Sequence, residues 1–278
     1  VDGTASLGLD DVTVADNRAV TTGGGIVRGP GSLTVRRSRI TGNRTGTNGG
    51  GLFVITGEPV SIEGSTFAGN EAGSNGGAIY ALGAVTVRNS TFSGNRASSA
   101  SAIAAFDDVE LVNATVADQR GLPNTTATAL LVGAGHTLSL TNVLLARNRT
   151  GRDEPGNCGI AGGSLVSGGH NLSDDATCAP LTATGDRRNV PAALADSLAD
   201  NGGPTRTYLP LAGSPAVNGG LASACSPTDQ RGAARAETCD IGATEFGVSP
   251  PAGARRGRRP DVRADRPAGP GGPRDRGL

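Results

Sequence analysis

The stretch at residues 65–80 reads STFAGNEAGSNGGAIY, and residues 90–97 begin the same phrase again as STFSGNRA. The equivalent asparagines, Asn70 and Asn95, lie 25 residues apart. A repeat of this length is typical of a solenoid, in which each repeat forms one turn of a stack. The repeat therefore indicates the fold more directly than composition does.

Six turns can be aligned when this asparagine, or the residue equivalent to it, is taken as the reference position. The spacings are 26, 27, 25, 24 and 29 residues, and the reference residues are Asn17, Asn43, Asn70, Asn95, Gln119 and Asn148. The residues ten, eight and three positions earlier are apolar in all six turns. They are Leu7, Leu33, Val60, Val85, Val109 and Leu138; Leu9, Val35, Ile62, Val87, Leu111 and Leu140; and Val14, Ile40, Phe67, Phe92, Val116 and Leu145.

The residues between these apolar positions follow the alternation of a half-buried strand. Nine positions before the reference stand residues that we expect to face outward: Gly8, Thr34, Ser61, Thr86, Glu110 and Ser139. A Gly-rich loop after the reference leads to a third apolar point at Ile26, Leu52 and Ile79. An amphipathic helix is excluded because glycine interrupts every segment. The pattern predicts an all-β fold, a parallel β-helix with three short strands per turn, right-handed because parallel crossovers have that preference.

The reference residues themselves are interpreted as structural rather than as a ligand-binding ladder. Asparagine tolerates left-handed backbone geometry and hydrogen-bonds neighbouring main chain at tight corners. In stacked strands such side chains also bond one another.

Three regions are expected along the chain. Residues 1–175 form the β-helix, and further turns are expected before them because the pattern is already running at Leu7. Residues 176–247 form a loop-rich cap. Residues 248–278 carry eight Arg, three Asp and six Pro. This tail is expected to be disordered, because it has too little apolar surface to bury.

Composition excludes several function classes. The chain has no Lys, so it has neither a P-loop lysine nor a Schiff-base enzyme's lysine. Its two histidines, His136 and His170, are 34 residues apart without an HExxH motif, so no zinc site is expected. We expect no cofactor, and no stretch approaches the roughly 18 apolar residues that span a bilayer.

All four cysteines lie in the C-terminal region: Cys158, Cys178, Cys225 and Cys239. They allow three pairings. No C-x2-C spacing supports a metal site, so disulfides in an oxidising compartment are expected. Pairing of nearest neighbours would enclose loops of about 20 and 14 residues, each bond contributing roughly 3 kcal/mol.

Two resemblances to known families attach to particular residues. FAGN at 67–70, FSGN at 92–95 and GGAI at 76–79 resemble the FxxN and GGAI repeats of chlamydial-type polymorphic outer membrane proteins. That family implies a surface-displayed β-helix with a role in adhesion.

The second resemblance is to the C-terminal region of the choice-of-anchor Q family of bacterial surface proteins. It covers about residues 157–247, through NCGIAGGSLVSGGHNLSDDATC, LADNGGPTRTYLPLAGSPAVNGG and CSPTDQRGAARAETCDIGATEF. Thr244 replaces the family's usual aromatic residue, and Asn218 its usual Asp. The resemblance, with proximity in sequence, implies the pairs Cys158–Cys178 and Cys225–Cys239. Asp229 and Arg231 in TDQRG could be catalytic, but we interpret them as a structural ion pair that fixes the cap over the end of the stack.

These observations predict a secreted or cell-surface bacterial protein that acts in binding, adhesion or display without catalysis. β-Helix enzymes need clustered carboxylates, and the acids between Val12 and Phe106 are only Asp16, Glu58, Glu63 and Glu71. The expected partner of a monomeric chain is a polysaccharide or a surface protein, not nucleic acid. The alternatives are a polysaccharide lyase or hydrolase, and a passive stalk.

One outward row is a candidate ligand face. It lies seven positions before the reference and consists of Asp10, Arg36, Glu63 and Arg88. Alternating charges favour a ladder of solvated ion pairs. The alternative is a polar groove in which Arg36 and Arg88 donate to a sugar or an acidic ligand. The row should end at Val112 and Thr141, and the sequence indicates no aromatic platform of the kind that glycan-binding faces usually add.

Overall fold

The computed structural model describes residues 5–252 and is a parallel β-solenoid of about six turns. The predicted all-β class is confirmed, since the one helical element among these residues is a single 3-10 turn at Ala222–Ala224. Every pairing between the strands is parallel, and each strand pairs with its equivalent one turn earlier or later, as Leu33 does with Leu7 and Val60.

The strands form four sheets along the solenoid. Sheet A contains Leu7–Asp10, Leu33–Arg36, Val60–Glu63, Val85–Arg88, Val109–Val112, Thr137–Thr141 and Ser164–Gly169. Sheet B contains Thr13–Ala15, Arg39–Thr41, Thr66–Ala68, Thr91–Ser93, Thr115–Ala117, Leu144–Ala146, Leu172–Ser173 and Arg187–Arg188. Sheet C contains Arg18–Ala19, Arg44–Thr45, Glu71–Ala72, Arg96–Ala97 and Arg120–Gly121. Sheet D contains Ile26–Arg28, Leu52–Val54, Ile79–Ala81, Ala100–Ala105, Thr128–Gly133 and Cys158–Ala161.

Sheet C differs from the sequence-based expectation of three strands per turn. Its strands are two residues long and begin directly after the reference residue, where we expected only loop. Alternation cannot be recognised over two residues, so the strand pattern gives no signal there.

The eighteen apolar positions form one core, as predicted. Fifteen are buried, and three in the first turn (Leu7, Leu9 and Val14) are partly buried, because they lie at the edge of the described stack. Inside, the rings of Phe67 and Phe92 stack with their centroids 5.3 Å apart. The residues nine positions before the reference pair in register on the outer side of sheet A, as Ser61 does with Thr86.

The reference residues form a continuous hydrogen-bonded ladder inside the corner between sheets B and C. Asn70 is fully buried. Its Oδ1 accepts from the backbone N and the Nδ2 of Asn43 at 3.1 and 3.0 Å, and its Nδ2 donates to the Ile40 carbonyl and to Asn95 Oδ1 at 2.8 and 2.9 Å. The same two links join Asn17 to Asn43 and Asn95 to Gln119. At the last step only the Gln119 backbone N donates to Asn148 Oδ1, at 2.9 Å, because the Gln119 Nε2 donates to the Ala117 carbonyl.

One reason given for these asparagines is wrong. The left-handed residue at this corner is the one before the reference, for example Gly42 (φ 65°), Gly69 (φ 62°) and Gly94 (φ 60°). Glycine adopts this geometry without a steric penalty. The asparagine is therefore required for its hydrogen bonds and not for backbone geometry.

The C-terminal segment lies along the side of the solenoid, although we expected a cap over its end. Residues 191–247, here called the strap, run back over the outer face of sheet B. Thr91 Oγ1 donates to Gln230 Oε1 at 2.6 Å, and the Ala243 amide donates to Thr115 Oγ1 at 3.0 Å. Apolar contacts accompany these bonds, in a second core made of Ala117, Leu144, Ala146, Leu172, Ala192, Leu194, Tyr208, Ala216 and Ile241. From the strand Thr66–Ala68 onward the outward side chains of sheet B are hydroxyl-bearing or apolar, which explains why this part of the face is covered, while Arg39 in the preceding strand is exposed.

Both predicted disulfides are confirmed. Cys158 and Cys178 join the last turns with Cα atoms 4.9 Å apart, and Cys225 and Cys239 close a loop of the strap with Cα atoms 5.8 Å apart. The expected ion pair is also present: Arg231 contacts Asp229 at 2.7 Å, and both side chains are buried. The disordered tail predicted from residue 248 lies outside the described residues beyond residue 252.

Candidate ligand-binding faces

The alternating charges of sheet A form one outward row. Asp10, Arg36, Glu63 and Arg88 are paired in register, and the row continues with Val112 and Thr141. Val112 is buried, so the charged part of the row ends there, as the sequence indicates.

Only one of the ion pairs near this row joins two of its members. Arg36 approaches Glu63 at 3.6 Å, but Asp10 pairs with Arg37, and Arg88 pairs with Glu110 at 3.1 Å. About half of each of these side chains remains exposed. Pairs this exposed contribute little to stability, and their opposite signs leave the face electrically balanced.

A groove of about 540 Å³ opens where this row meets the strap. Its lining includes Arg36, Arg37 and Glu63 on the solenoid side and the turn at residues 228–232 on the strap side. Asp229 and Arg231 of that turn are bonded to each other, and Arg231 also donates to the Glu245 carbonyl at 2.7 Å. These two residues therefore hold the wall of the groove and are not free to bind a ligand.

Sheet C carries a second charged row, which the sequence analysis missed. The residue after each reference position faces outward there, and these residues pair in register from turn to turn. They are Arg18, Arg44, Glu71, Arg96, Arg120 and Arg149. Here five of six charges have the same sign.

The arginines of this row are only partly neutralised. Arg44 pairs with Glu71 at 2.7 Å, and Arg120 pairs with Asp153 at 2.6 Å. The side chains of Arg44 and Arg120 nevertheless remain 58% and 55% exposed. Arg18 and Arg96 are exposed and make no side-chain hydrogen bond or ion pair within residues 5–252.

An aromatic strip lies on the outer face of sheet D, which corrects the expectation that the chain lacks such a surface. The rings of Phe53 and Tyr80 stack with centroids 5.4 Å apart, and Phe106 lies 5.3 Å from Tyr80. The neighbouring Val27 and Ile55 are 43% and 38% exposed. Because the rings stack on one another along the solenoid, their edges face outward more than their faces do.

A small group of ligand-type side chains lies beside this strip, at the turn from sheet D to sheet A. The ligand atoms of Asp107, Asp108 and His136 all lie within 4.8 Å of one another. Asp108 also accepts a hydrogen bond from the Thr137 amide at 2.8 Å. Exposed acidic groups of this kind are common without an ion, so the geometry alone assigns no metal.

Four polar side chains between sheet B and the strap form a partly buried network, in which Tyr208 and Ser93 are buried and Asp118 and Arg147 are about one-third exposed. The Tyr208 hydroxyl donates to Asp118 at 2.5 Å and pairs with Ser93 at 2.7 Å, while Arg147 binds Asp118 at 2.8 Å. Burial, with the bond to Asp118, raises the pKa of Tyr208. The bond to Asp118 likewise raises the pKa of Arg147. This network fastens the strap and leaves no group free for chemistry.

No helix within residues 5–252 has the length and apolar character to cross a bilayer. Residues 64–82 match the repeat model described as the Chlamydia polymorphic membrane protein (Chlamydia_PMP) repeat. No curated protein and no solved structure matches the chain. The match covers 19 residues, less than one full turn, and it includes the FAGN and GGAI motifs at 67–70 and 76–79.

Proposed function

We propose that this chain is an exported, surface-associated bacterial β-helix that acts by binding or adhesion and not by catalysis. The observation that carries the proposal is that the strap covers the outer face of one sheet and leaves the outer faces of the other three exposed. The strap covers the outer face of sheet B from the strand Thr66–Ala68 onward, whereas sheets A, C and D expose regular rows of side chains about 4.8 Å apart. Such rows are suited to an extended partner that contacts several turns at once.

Three further observations support the surface location. The two disulfides are typical of an oxidising compartment outside the cytoplasm. The matched repeat belongs to a membrane protein family, and residues 157–247 resemble the end of choice-of-anchor Q surface proteins. The partner we favour is a polysaccharide or a surface protein rather than nucleic acid, bound by a monomer. Size-exclusion chromatography with light scattering tests the monomeric state.

The enzymatic alternative has one observation in its favour, the group of Asp107, Asp108 and His136. A carboxylate pair beside an imidazole could bind a cation or transfer protons in polysaccharide cleavage. The third alternative, a passive stalk, requires no ligand.

One experiment separates these functions. The purified chain is incubated with a panel of neutral and acidic polysaccharides and with bacterial cells, and both retention and the release of reducing ends or unsaturated products are measured. The proposal expects retention without products. Products that disappear in Asp107→Asn/Asp108→Asn but persist in a Glu110→Gln control would establish the enzymatic alternative. If there is neither retention nor product release, the passive stalk is the remaining function.

A further inference from the structure

We propose that the arginine row of sheet C binds a linear acidic polysaccharide lying along the solenoid axis. The row consists of Arg18, Arg44, Glu71, Arg96, Arg120 and Arg149. This inference rests on the proposed binding function and names both its ligand and the face that recognises it.

The stability of the fold does not explain this row. Like charges directly opposite one another on adjacent strands are destabilising. Sheet A avoids this cost by alternating Arg and Asp or Glu, whereas on sheet C Arg18 is paired in register with Arg44, and Arg96 with Arg120. The neighbouring corner requires only the Asn or Gln of the ladder, so nothing in the packing demands a cation at the next residue.

The row is also conspicuous against the rest of the chain. The full sequence is formally neutral, but residues 248–278 contain eight Arg and three Asp, so residues 1–247 carry a net negative charge. Five arginines on one face of a net negative body form a local positive field, which concentrates anions.

The shape of the face favours a single polymer chain. The strands fix the arginines about 4.8 Å apart, so the row extends about 24 Å in a straight line. The flanking corner positions include Gly69 and Gly94, next to which a side chain would find open space. A polymer can therefore lie close to the backbone while the guanidinium groups reach it.

The chemistry favours carboxylate or sulfate groups repeated along that polymer. Guanidinium binds both anions through paired hydrogen bonds. Within the described part of the chain, the guanidinium groups of Arg18 and Arg96 have all of their donors available. Single-stranded nucleic acid normally needs aromatic stacking platforms beside its cationic track, and the row contains none. A small anion would engage one or two arginines and would not use the length of the row.

The test measures dissociation constants of the full chain for polygalacturonate (carboxylate), dextran sulfate (sulfate) and neutral dextran. We expect at least one of the two acidic polymers to bind, with an affinity that falls as salt rises, and dextran not to bind. Arg18→Gln/Arg96→Gln should weaken binding at least tenfold. The matched control, Arg36→Gln/Arg88→Gln on sheet A, should change it less than twofold.

A variant that is expected to bind more tightly separates the loss of ligand contacts from misfolding, because a misfolded protein would not gain affinity. Glu71→Gln removes the one acid of the row and should tighten binding about threefold or more. Equal loss in both double variants, no tightening in Glu71→Gln, or duplex DNA bound as tightly as the acidic polymers would overturn the inference. If only dextran or cells are retained, the inference fails and the proposed binding function stands; if nothing is retained, both fail.

Discussion

At the residue scale, the Asn ladder shows how one side chain can specify both a corner and the stacking of turns. Asn70 satisfies groups in the turn before it and in the turn after it, all without access to water. Polar groups buried in this way are costly when a partner is removed. The ladder therefore fixes the register of neighbouring turns through hydrogen bonds that an apolar residue cannot make.

Replacing Asn70 by Ala should lower the free energy of unfolding by about 3 kcal/mol, because each buried group left without a partner costs roughly 1–3 kcal/mol. The control is Asn75→Ala, a partly exposed asparagine whose side chain donates only to Asn48 Oδ1 at 3.0 Å. It should cost less than about 1 kcal/mol. Denaturant titration of both variants measures the difference, and equal losses would contradict a special role for the ladder.

Tyr208 gives a prediction that depends on pH. Its pKa is raised in the folded protein by burial and by the bond to Asp118, whereas the unfolded side chain titrates near its ordinary value of about 10. The stability that it contributes is therefore complete below about pH 10 and is lost as the pH rises further.

Tyr208→Phe should cost about 2 kcal/mol at neutral pH, and its free energy of unfolding should fall less steeply than that of the wild type above about pH 10. Tyr80→Phe removes the chain's other tyrosine. In this variant the free energy of unfolding should still show the fall above about pH 10 that Tyr208 causes. Identical slopes in the wild type and in Tyr208→Phe would show that the phenol ionises without opposing the fold.

At the element scale, the strap is held by long-range contacts that sequence repeats do not reveal. The Gln230 amide nitrogen donates to the Ser65 carbonyl at 3.2 Å and to Thr66 Oγ1 at 2.9 Å, while its oxygen accepts from Thr91. One side chain thus bridges two turns of sheet B. The loop closed by Cys225 and Cys239 lies in the same segment.

Replacing Cys225 and Cys239 by Ser should loosen the strap and leave the stack intact. A bond that closes a loop of this size contributes roughly 3 kcal/mol, and the strap has no repeating ladder to replace it. Hydrogen exchange should accelerate in residues 222–247 and in the covered strands of sheet B, but not in sheets C and D. Uniform acceleration in all four sheets would mean that the strap is essential to the whole solenoid.

The sequence predicts the parts of this structure that repeat. The apolar positions, the outward residues such as Ser61, and the ladder asparagines recur in each turn, so their register could be predicted before any coordinates. The strap follows no period, and its contacts join residues far apart, such as Thr91 and Gln230. Its position on sheet B was therefore not predictable.

The arginine row and the aromatic strip, which were not predicted, differ in whether the sequence repeat contains them. The arginine row was present in the repeat, because Arg follows the reference residue in five of six turns; it was missed because no strand was predicted there. The aromatic strip requires knowledge of the register of sheet D, since Phe106 lies two residues beyond the position equivalent to Tyr80, although the two rings lie 5.3 Å apart.

At the scale of the whole molecule, the solenoid presents a chemically different surface on each of its sheets. In a solenoid each turn contacts mainly its neighbours, so stability is approximately a sum of local terms. The strap adds contacts that cross several turns and should make unfolding more cooperative. The faces that it leaves open carry balanced charge on sheet A, positive charge on sheet C and aromatic side chains on sheet D.

Both proposals depend on one claim, that the turns stack in a single parallel register. Engineered disulfides test it directly, because two cysteines bridge only when their Cα atoms lie within about 7 Å. Ser61 and Thr86 are register partners on the outer side of sheet A, about 4.8 Å apart. Thr34 and Thr86 lie two turns apart, at about 9.6 Å.

Non-reducing peptide mapping of oxidised Ser61→Cys/Thr86→Cys should find the new bond beside the two native ones. The control Thr34→Cys/Thr86→Cys should keep both new thiols free. A bond in the control, or none in the adjacent pair, would contradict the stacked register and with it the rows on which the proposed ligand faces depend.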